Sequence, residues 1–176
     1  TFVNAYGAGG LRAQRVLSAA PPLDPADLPP AWRGPELLLL APVLGELDVR
    51  AFAEAARARF VGLGIQGLVR EVGPDGTVGH RRLDLDPASL AAVDAAVLGE
   101  DEARGDPTLV SRLAGAIPVV AFTHGARGCE IVVRGRTRRV GIHPASEVDP
   151  TGAGDVFAAG FFLALCRGED PLDAAR

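Results

Sequence analysis

Residues Glu147 to Arg167 read EVDPTGAGDVFAAGFFLALCR, and their two halves make opposite physical demands. Asp149-Pro150-Thr151-Gly152-Ala153-Gly154-Asp155 is a loop of small residues bracketed by two carboxylates. Val156 to Cys166 carries no charge and no proline, and is too long for an ordinary strand. Its apolar residues fall on every side of a 3.6-residue period, which predicts a helix buried on most of its circumference. Such a helix starts in the interior with unpaired backbone N–H groups and the positive end of its macrodipole. Gly152 and Gly154 let a ligand approach that backbone, so the sequence predicts an anion site at this point.

Asp155 has two readings. A carboxylate in the first turn of a helix is favoured by the dipole whatever its chemistry. Asp149 and Thr151 can already cap this end, however, which leaves Asp155 beside an anion-stabilising loop. A base in that position suits phosphoryl transfer to a hydroxyl. There the acceptor O–H must lose a proton while charge gathers on the transferred group.

At these residues the chain resembles the ribokinase-like, or PfkB, carbohydrate kinases, whose C-terminal signature is D-T-x-G-A-G-D before a small, apolar helix. Here Pro150 takes the usual Thr position and Thr151 stands next to the glycines. The resemblance implies that Asp155 is the catalytic base and that Gly152, Ala153 and Gly154 form the anion hole. It groups Thr151 with the cofactor-binding residues. It also allows K⁺ as an assisting monovalent cation beside the backbone of Asp149 and Thr151.

Other glycine-loop chemistries fail locally. A G-x-G-x-x-G dinucleotide loop needs glycine where Phe157 stands, and a Walker A loop needs a lysine. The chain has no lysine at all, which also removes Schiff-base chemistry. Backbone amides, arginine and Mg²⁺ are left to handle phosphate charge. The net charge of −4 gives no general attraction to nucleic acid or acidic lipid, and no apolar run is long enough to span a membrane. Cys129 and Cys166 are expected as buried free thiols of a cytoplasmic protein, and three scattered histidines make a zinc site improbable.

Along the chain, Thr1–Tyr6 and Leu11–Leu17 flank Gly7-Ala8-Gly9-Gly10 and predict a hairpin with one wet or site-lining face. Leu37–Ala41, Phe60–Gly64, Ala95–Leu98 and Pro118–Phe122 read as strands of a mainly parallel sheet. Helices over 48–59, 87–93 and 106–116 alternate with them. Leu68–Val72 and Thr77–Leu83 predict a second hairpin, and Glu130–Val133 with Thr137–Ile142 a third. Arg134, Arg136, Arg138 and Arg139 in the third read as a solvated edge protected by charge.

Two further segments follow the family's order. Thr123-His124-Gly125-Ala126-Arg127-Gly128 resembles its T-x-G-x-x-G loop, which places Thr123, Gly125 and Gly128 against nucleotide phosphates and ribose. Gly99-Glu100-Asp101-Glu102 stands at its N-x-x-E motif, with Gly99 in the Asn position. Glu102 is therefore either a Mg²⁺ residue or part of an acidic turn that opens a helix.

The expected fold is a three-layer α/β/α ribokinase-like (Rossmann-like) domain with a mainly parallel central sheet. The expected function is ATP- and Mg²⁺-dependent phosphorylation of a hydroxyl on a sugar, polyol or nucleoside. The rival reading is an inactive nucleotide- or sugar-binding homologue or a non-functional fragment. A homodimer is among the expected partners of the full-length protein. The chain has no methionine, opens within a strand pattern and closes on one helical turn, so residues 1–176 are expected to be the central and C-terminal part of a single domain. Most acceptor contacts and the adenine-contacting segment would then lie elsewhere. The chain alone is expected neither to phosphorylate sugars nor to remain monomeric.

Overall fold

In the computed structural model, residues 1–6, 12–84, 86–146, 148–149 and 151–176 are described, without the side chains of residues 6 and 12. The Gly7–Gly10 turn and the positions of Glu147 and Pro150 lie outside the described residues. In chain order the elements are β1 (Phe2–Tyr6), β2 (Arg12–Val16), β3 (Leu37–Leu40), α1 (Val49–Ala56), β4 (Phe60–Gly64) and α2 (Gln66–Val69). Then come β5 (Arg70–Val72), β6 (Val78–His80), α3 (Pro87–Leu90), β7 (Ala95–Gly99), α4 (Glu100–Ala103) and α5 (Leu109–Ala116). The chain ends with β8 (Val119–Thr123), β9 (Cys129–Val133), β10 (Arg136–Val140), α6 (Ala153–Cys166) and α7 (Pro171–Ala174).

Six strands form the central sheet in the order β10-β9-β8-β7-β4-β3. β3, β4, β7 and β8 run parallel, and β9 and β10 are antiparallel at one edge. Strand alternation sends side chains to two separate cores. Val61, Leu63, Ala96, Leu98 and Val120 join Phe52 of α1 and Leu109 and Leu113 of α5 on one face. Ala95, Val97, Ala121 and Ile131 face Ala158, Phe161 and Phe162 of α6 on the other. The result is the expected three-layer α/β/α arrangement with a mixed, mostly parallel sheet.

Local chemistry sets the element ends. The Asp48 carboxylate accepts the Ala51 N–H at 3.0 Å to start α1, and Asp170 accepts the Leu172 N–H at 2.9 Å to start α7. Asp106 accepts the Thr108 N–H and hydroxyl and pairs with Arg112 at 2.6 Å, so α5 begins at Leu109. The second hairpin is shorter than expected, because Leu68 and Val69 belong to α2 and only Arg70–Val72 pairs with Val78–His80.

The first and second hairpins form one unit. Arg15 bridges to Thr77, and the Val16 N–H donates to the Gly76 carbonyl at 2.8 Å. Arg70, 8% exposed, fastens this unit to the sheet. Its guanidinium donates to Gln14 Oε1 at 3.0 Å and to the Val43 carbonyl at 3.2 Å, in the loop after β3. The side of the first hairpin that carries Gln14 therefore reaches, through Arg70, the loop at the carboxyl end of β3.

Helix α6 departs from expectation. Ala158, Phe161, Phe162 and Cys166 are buried, whereas Val156 is 74% and Leu163 42% exposed. Among the described residues α6 packs against α7 and, through one face, against β3, β4 and β7. On that face Phe162 lies directly over Gly62, and a Cβ there would fall 2.5 Å from the Phe162 Cγ. Gly62→Ala should therefore lower stability by about 1–3 kcal/mol through overpacking. Urea unfolding checks this, and an unchanged midpoint would mean that Phe162 relaxes freely.

Candidate active site

The glycine loop becomes the start of α6 itself. Gly152 is the N-cap residue at φ +81°, a conformation that favours glycine, and helix begins at Ala153 rather than Val156. The Val156 N–H donates to the Gly152 carbonyl at 2.9 Å. The N–H groups of Gly152, Ala153, Gly154 and Asp155 precede that first helical bond, and none has an acceptor among the described residues. A Cβ at Gly154 would meet no atom of the described residues within 4 Å, so space opens beside these donors. Asp149 accepts the Thr151 N–H at 2.9 Å. Thr151, through its N–H and its hydroxyl, holds the Asp149 carboxyl below the usual carboxylate range.

Two elements converge there on a pocket of about 500 Å³. Thr123, Gly125 and Gly128 line it from the loop after β8, and Asp149, Ala153 and Gly154 from the start of α6. Both segments sit at the carboxyl end of the parallel strands, where α/β sheets bind ligands. Gly128, at φ +87°, lets the loop pass against the Val140 carbonyl, and a Cβ there would also lie 3.1 Å from the Gly141 Cα. Gly152, Thr151 and Asp155 are not in the pocket wall but adjoin it in the chain. The Asp155 side chain is exposed and has no hydrogen bond or ion pair among the described residues.

Part of the wall escaped the sequence reading. Ile142, His143, Ala145 and Phe157 also line it, with Ala126, Ala175 and Arg176. Phe157 carried a signal, standing one turn past the glycine loop on an apolar helix. Ile142 reads as the end of an edge hairpin and His143 as a loop residue, and nothing in their spacing points toward α6.

Glu102 lies apart from this wall. Its Oε2 accepts the Gly99 N–H at 2.6 Å and its Oε1 the Gln66 amide at 3.3 Å. The acidic segment is thus a single helical turn, closed on itself by Glu102. Neighbouring Glu100 accepts from His124 Nδ1 at 2.8 Å and from Arg127, tying this turn to the 123–128 loop. His124, and then Arg127, hold the Glu100 carboxyl below its usual range. No group of three metal-ligating side chains occurs among the described residues. Mg²⁺ at phosphotransferase sites needs only one or two carboxylates, because water and donor phosphates complete its shell. Glu102 Oε1, with one long bond, fits that requirement.

Both cysteines are buried and unpaired, as expected, and burial pushes the Cys129 thiol up. No helix among the described residues is long and apolar enough to cross a membrane.

Comparison with known proteins places this geometry in a family. The chain is 35% identical over 167 residues to an inositol 3-kinase of Zea mays, covering 93% of this chain and 43% of that protein. It therefore spans less than half the length of the curated relatives it matches. A pyrophosphate-dependent kinase in the ribokinase family, solved as a sulfate complex, superimposes with a TM-score of 0.82 at 21% identity. That match covers 99% of this chain and 65% of the other. A structure of such a kinase with a pyrophosphate analog and myo-inositol gives 0.76 at 20% identity, over 94% and 62%. These likenesses show the ribokinase-like fold. Residues 89–176, which hold the 123–128 loop, the acidic turn and all of α6, match the pfkB family carbohydrate kinase description, and the chain belongs to that family.

Proposed function

We propose that the protein containing this chain transfers the γ-phosphoryl group of ATP to a hydroxyl of a polyol or sugar, with an inositol as the first candidate acceptor. The observation that carries this reading is the N-terminus of α6, whose first N–H groups and Asp155 side chain have no partner among the described residues, beside a pocket shared with the 123–128 loop. The acceptor class rests on the inositol 3-kinase relative and on the myo-inositol held by a protein of the same fold.

Each residue then has a task. Asp155 takes the proton from the acceptor hydroxyl as the new O–P bond forms. The N–H groups of Gly152, Ala153 and Gly154 meet the charge that develops on the transferred group. Thr123, Gly125 and Gly128 hold the donor from the opposite wall. Glu102 would hold Mg²⁺, which neutralises donor phosphate charge when bound. Asp149, charged beside the loop, is the residue we assign to an assisting K⁺.

The donor assignment rests on the wall chemistry. Ile142, Phe157, Ala126, Ala145 and Ala175 give an apolar surface in a pocket of about 500 Å³, within the range of small-molecule sites. A purine ring can use such a surface and inorganic pyrophosphate cannot. Incubation with myo-inositol or a panel of sugars and nucleosides, with ATP or pyrophosphate, followed by ³¹P NMR of the products, tests the whole reading. ATP-dependent phosphorylation is expected. Transfer from pyrophosphate alone would overturn the donor, and MgATP binding without transfer to any acceptor would mark an inactive homologue.

Glu102→Gln should raise the Mg²⁺ concentration needed for half-maximal rate. The amide loses the charge but keeps an oxygen toward the Gly99 N–H, so the turn should persist. An unchanged Mg²⁺ titration would reduce Glu102 to a helix-capping residue.

A further inference from the structure

His124 occupies the second position of the 123–128 loop, with its side chain only 17% exposed. Its two ring nitrogens face two carboxylates. Nδ1 lies 2.8 Å from Glu100 Oε1 at the start of α4, and Nε2 lies 3.8 Å from Glu130 Oε1 on β9. The Phe122 ring packs edge-on at 4.5 Å between centroids. Nε2 is fully buried and has no hydrogen-bond partner among the described residues. Each carboxylate also has an arginine: Glu100 pairs with Arg127 of the same loop, and Glu130 with Arg139 of β10 at 2.9 Å.

A neutral imidazole has a single N–H. With that proton on Nδ1 toward Glu100, the buried Nε2 would point a lone pair at a carboxylate, which is both desolvated and repulsive. A proton on Nε2 turns the contact with Glu130 into an attraction, and a shift of well under 1 Å would bring the 3.8 Å separation close to hydrogen-bond range. The two carboxylate–arginine pairs cancel in charge. The proton on His124 therefore gives this cluster its net positive charge.

The ring is joined to the loop through the loop's own backbone. The His124 N–H donates to the Gly128 carbonyl at 2.8 Å, and the Gly128 N–H to the Gly125 carbonyl at 3.1 Å, so the turn closes on itself. Two of its side chains, His124 and Arg127, hold the same Glu100 oxygen.

We propose that His124 is a proton-linked positioning residue, whose imidazolium bridges Glu100 and Glu130 and holds the 123–128 loop in its donor-facing form. This rests on the reading of that loop as the donor loop. Because linkage is reciprocal, an anionic donor on the loop raises the proton's affinity for His124, and the proton raises the donor's affinity. Donor binding is then tightest below the imidazole titration and weakens as pH rises through it.

The test has two arms. In the free protein, NMR follows the His124 ring and the backbone amides of Gly125 and Ala126 between about pH 5 and 8. The amides should titrate with the ring, and Glu130→Gln should lower the ring's midpoint. Amides indifferent to the ring, or a midpoint unmoved by Glu130→Gln, would overturn the proposal. In the second arm, calorimetry measures MgATP affinity over the same range in the wild type and in His124→Gln, whose slope reports the nucleotide's own titration. The wild type should lose about fivefold or more beyond that variant, and equal slopes would overturn the link to the donor. If MgATP binds at no pH, the donor reading itself fails. The first arm then still decides whether the clamp exists.

Discussion

Asp155→Asn is expected to lower kcat by about 10²–10⁴-fold, the range typical of a positioned general base, while leaving MgATP affinity nearly unchanged. The structure makes this a clean substitution. Asp155 is exposed, stands in the first turn of α6, and has no partner among the described residues that its loss would strand. The stability change should stay within the roughly 0.3–1 kcal/mol of an exposed first-turn carboxylate on the helix dipole. Asparagine keeps the size and polarity but is a far weaker base. A modest drop in melting temperature with full turnover would restore the plain reading of Asp155 as a dipole-favoured acid. Loss of turnover together with loss of donor binding would mean that the side chain holds the nucleotide rather than the proton.

Much of the fold was legible because buried parallel strands leave a strong trace. Leu37–Leu40 and Ala95–Gly99 are continuous apolar runs between loops, and both became neighbours or near neighbours of β4 in the central sheet. Helix α6 was legible as a helix but not in its orientation. Amphipathic helices mark their outer face with polar residues. With Val156, Ala159, Gly160 and Leu163 as apolar or small as Phe161 and Phe162, nothing marked the side left uncovered. The close approach of Phe162 to Gly62 was also invisible, because it joins residues a hundred positions apart whose meeting depends on the packing of α6 across the sheet.

The candidate site divides in the same way. Six of the residues singled out in the sequence meet at one pocket, since the end of β8 with its loop and the start of α6 both lie at the carboxyl end of the sheet. Glu102 does not, and spacing could not have shown it. The third residue of a helical turn can turn its carboxylate outward or back to its own N-cap backbone, and here Oε2 turns back to Gly99 while Oε1 keeps one long bond to Gln66. A Cβ at Gly99 would sit 3.0 Å from Glu102 Oε2 and 3.3 Å from Thr123 Oγ1. The asparagine that the family carries there would therefore press on this arrangement. Glycine at position 99 and the inward carboxylate belong together physically.

Gly154→Val separates binding geometry from folding at the same helix end. The Gly154 backbone is not in the left-handed region, and a Cβ would meet nothing within 4 Å among the described residues, so a side chain can start there without a clash. Valine is also no worse than glycine as a helix residue, so stability should hold or rise by a few tenths of a kcal/mol. Gly152 would be a poorer choice, because at φ +81° any side chain strains the cap itself and confuses the two effects. The space that valine fills is the space before the first-turn N–H groups that have no acceptor among the described residues. If those donors hold the transferred phosphoryl group, blocking one costs roughly 2.7–4 kcal/mol, or about 10²–10³-fold in kcat. Gly154→Ala, with a smaller intrusion, should fall between valine and wild type. The measurement pairs steady-state kinetics with urea unfolding on all three proteins. A graded loss of kcat at constant stability assigns the N-terminus of α6 to the reacting phosphate. Wild-type turnover in the valine protein would be incompatible with an anion hole there, and would move the site of transfer away from Gly152–Gly154.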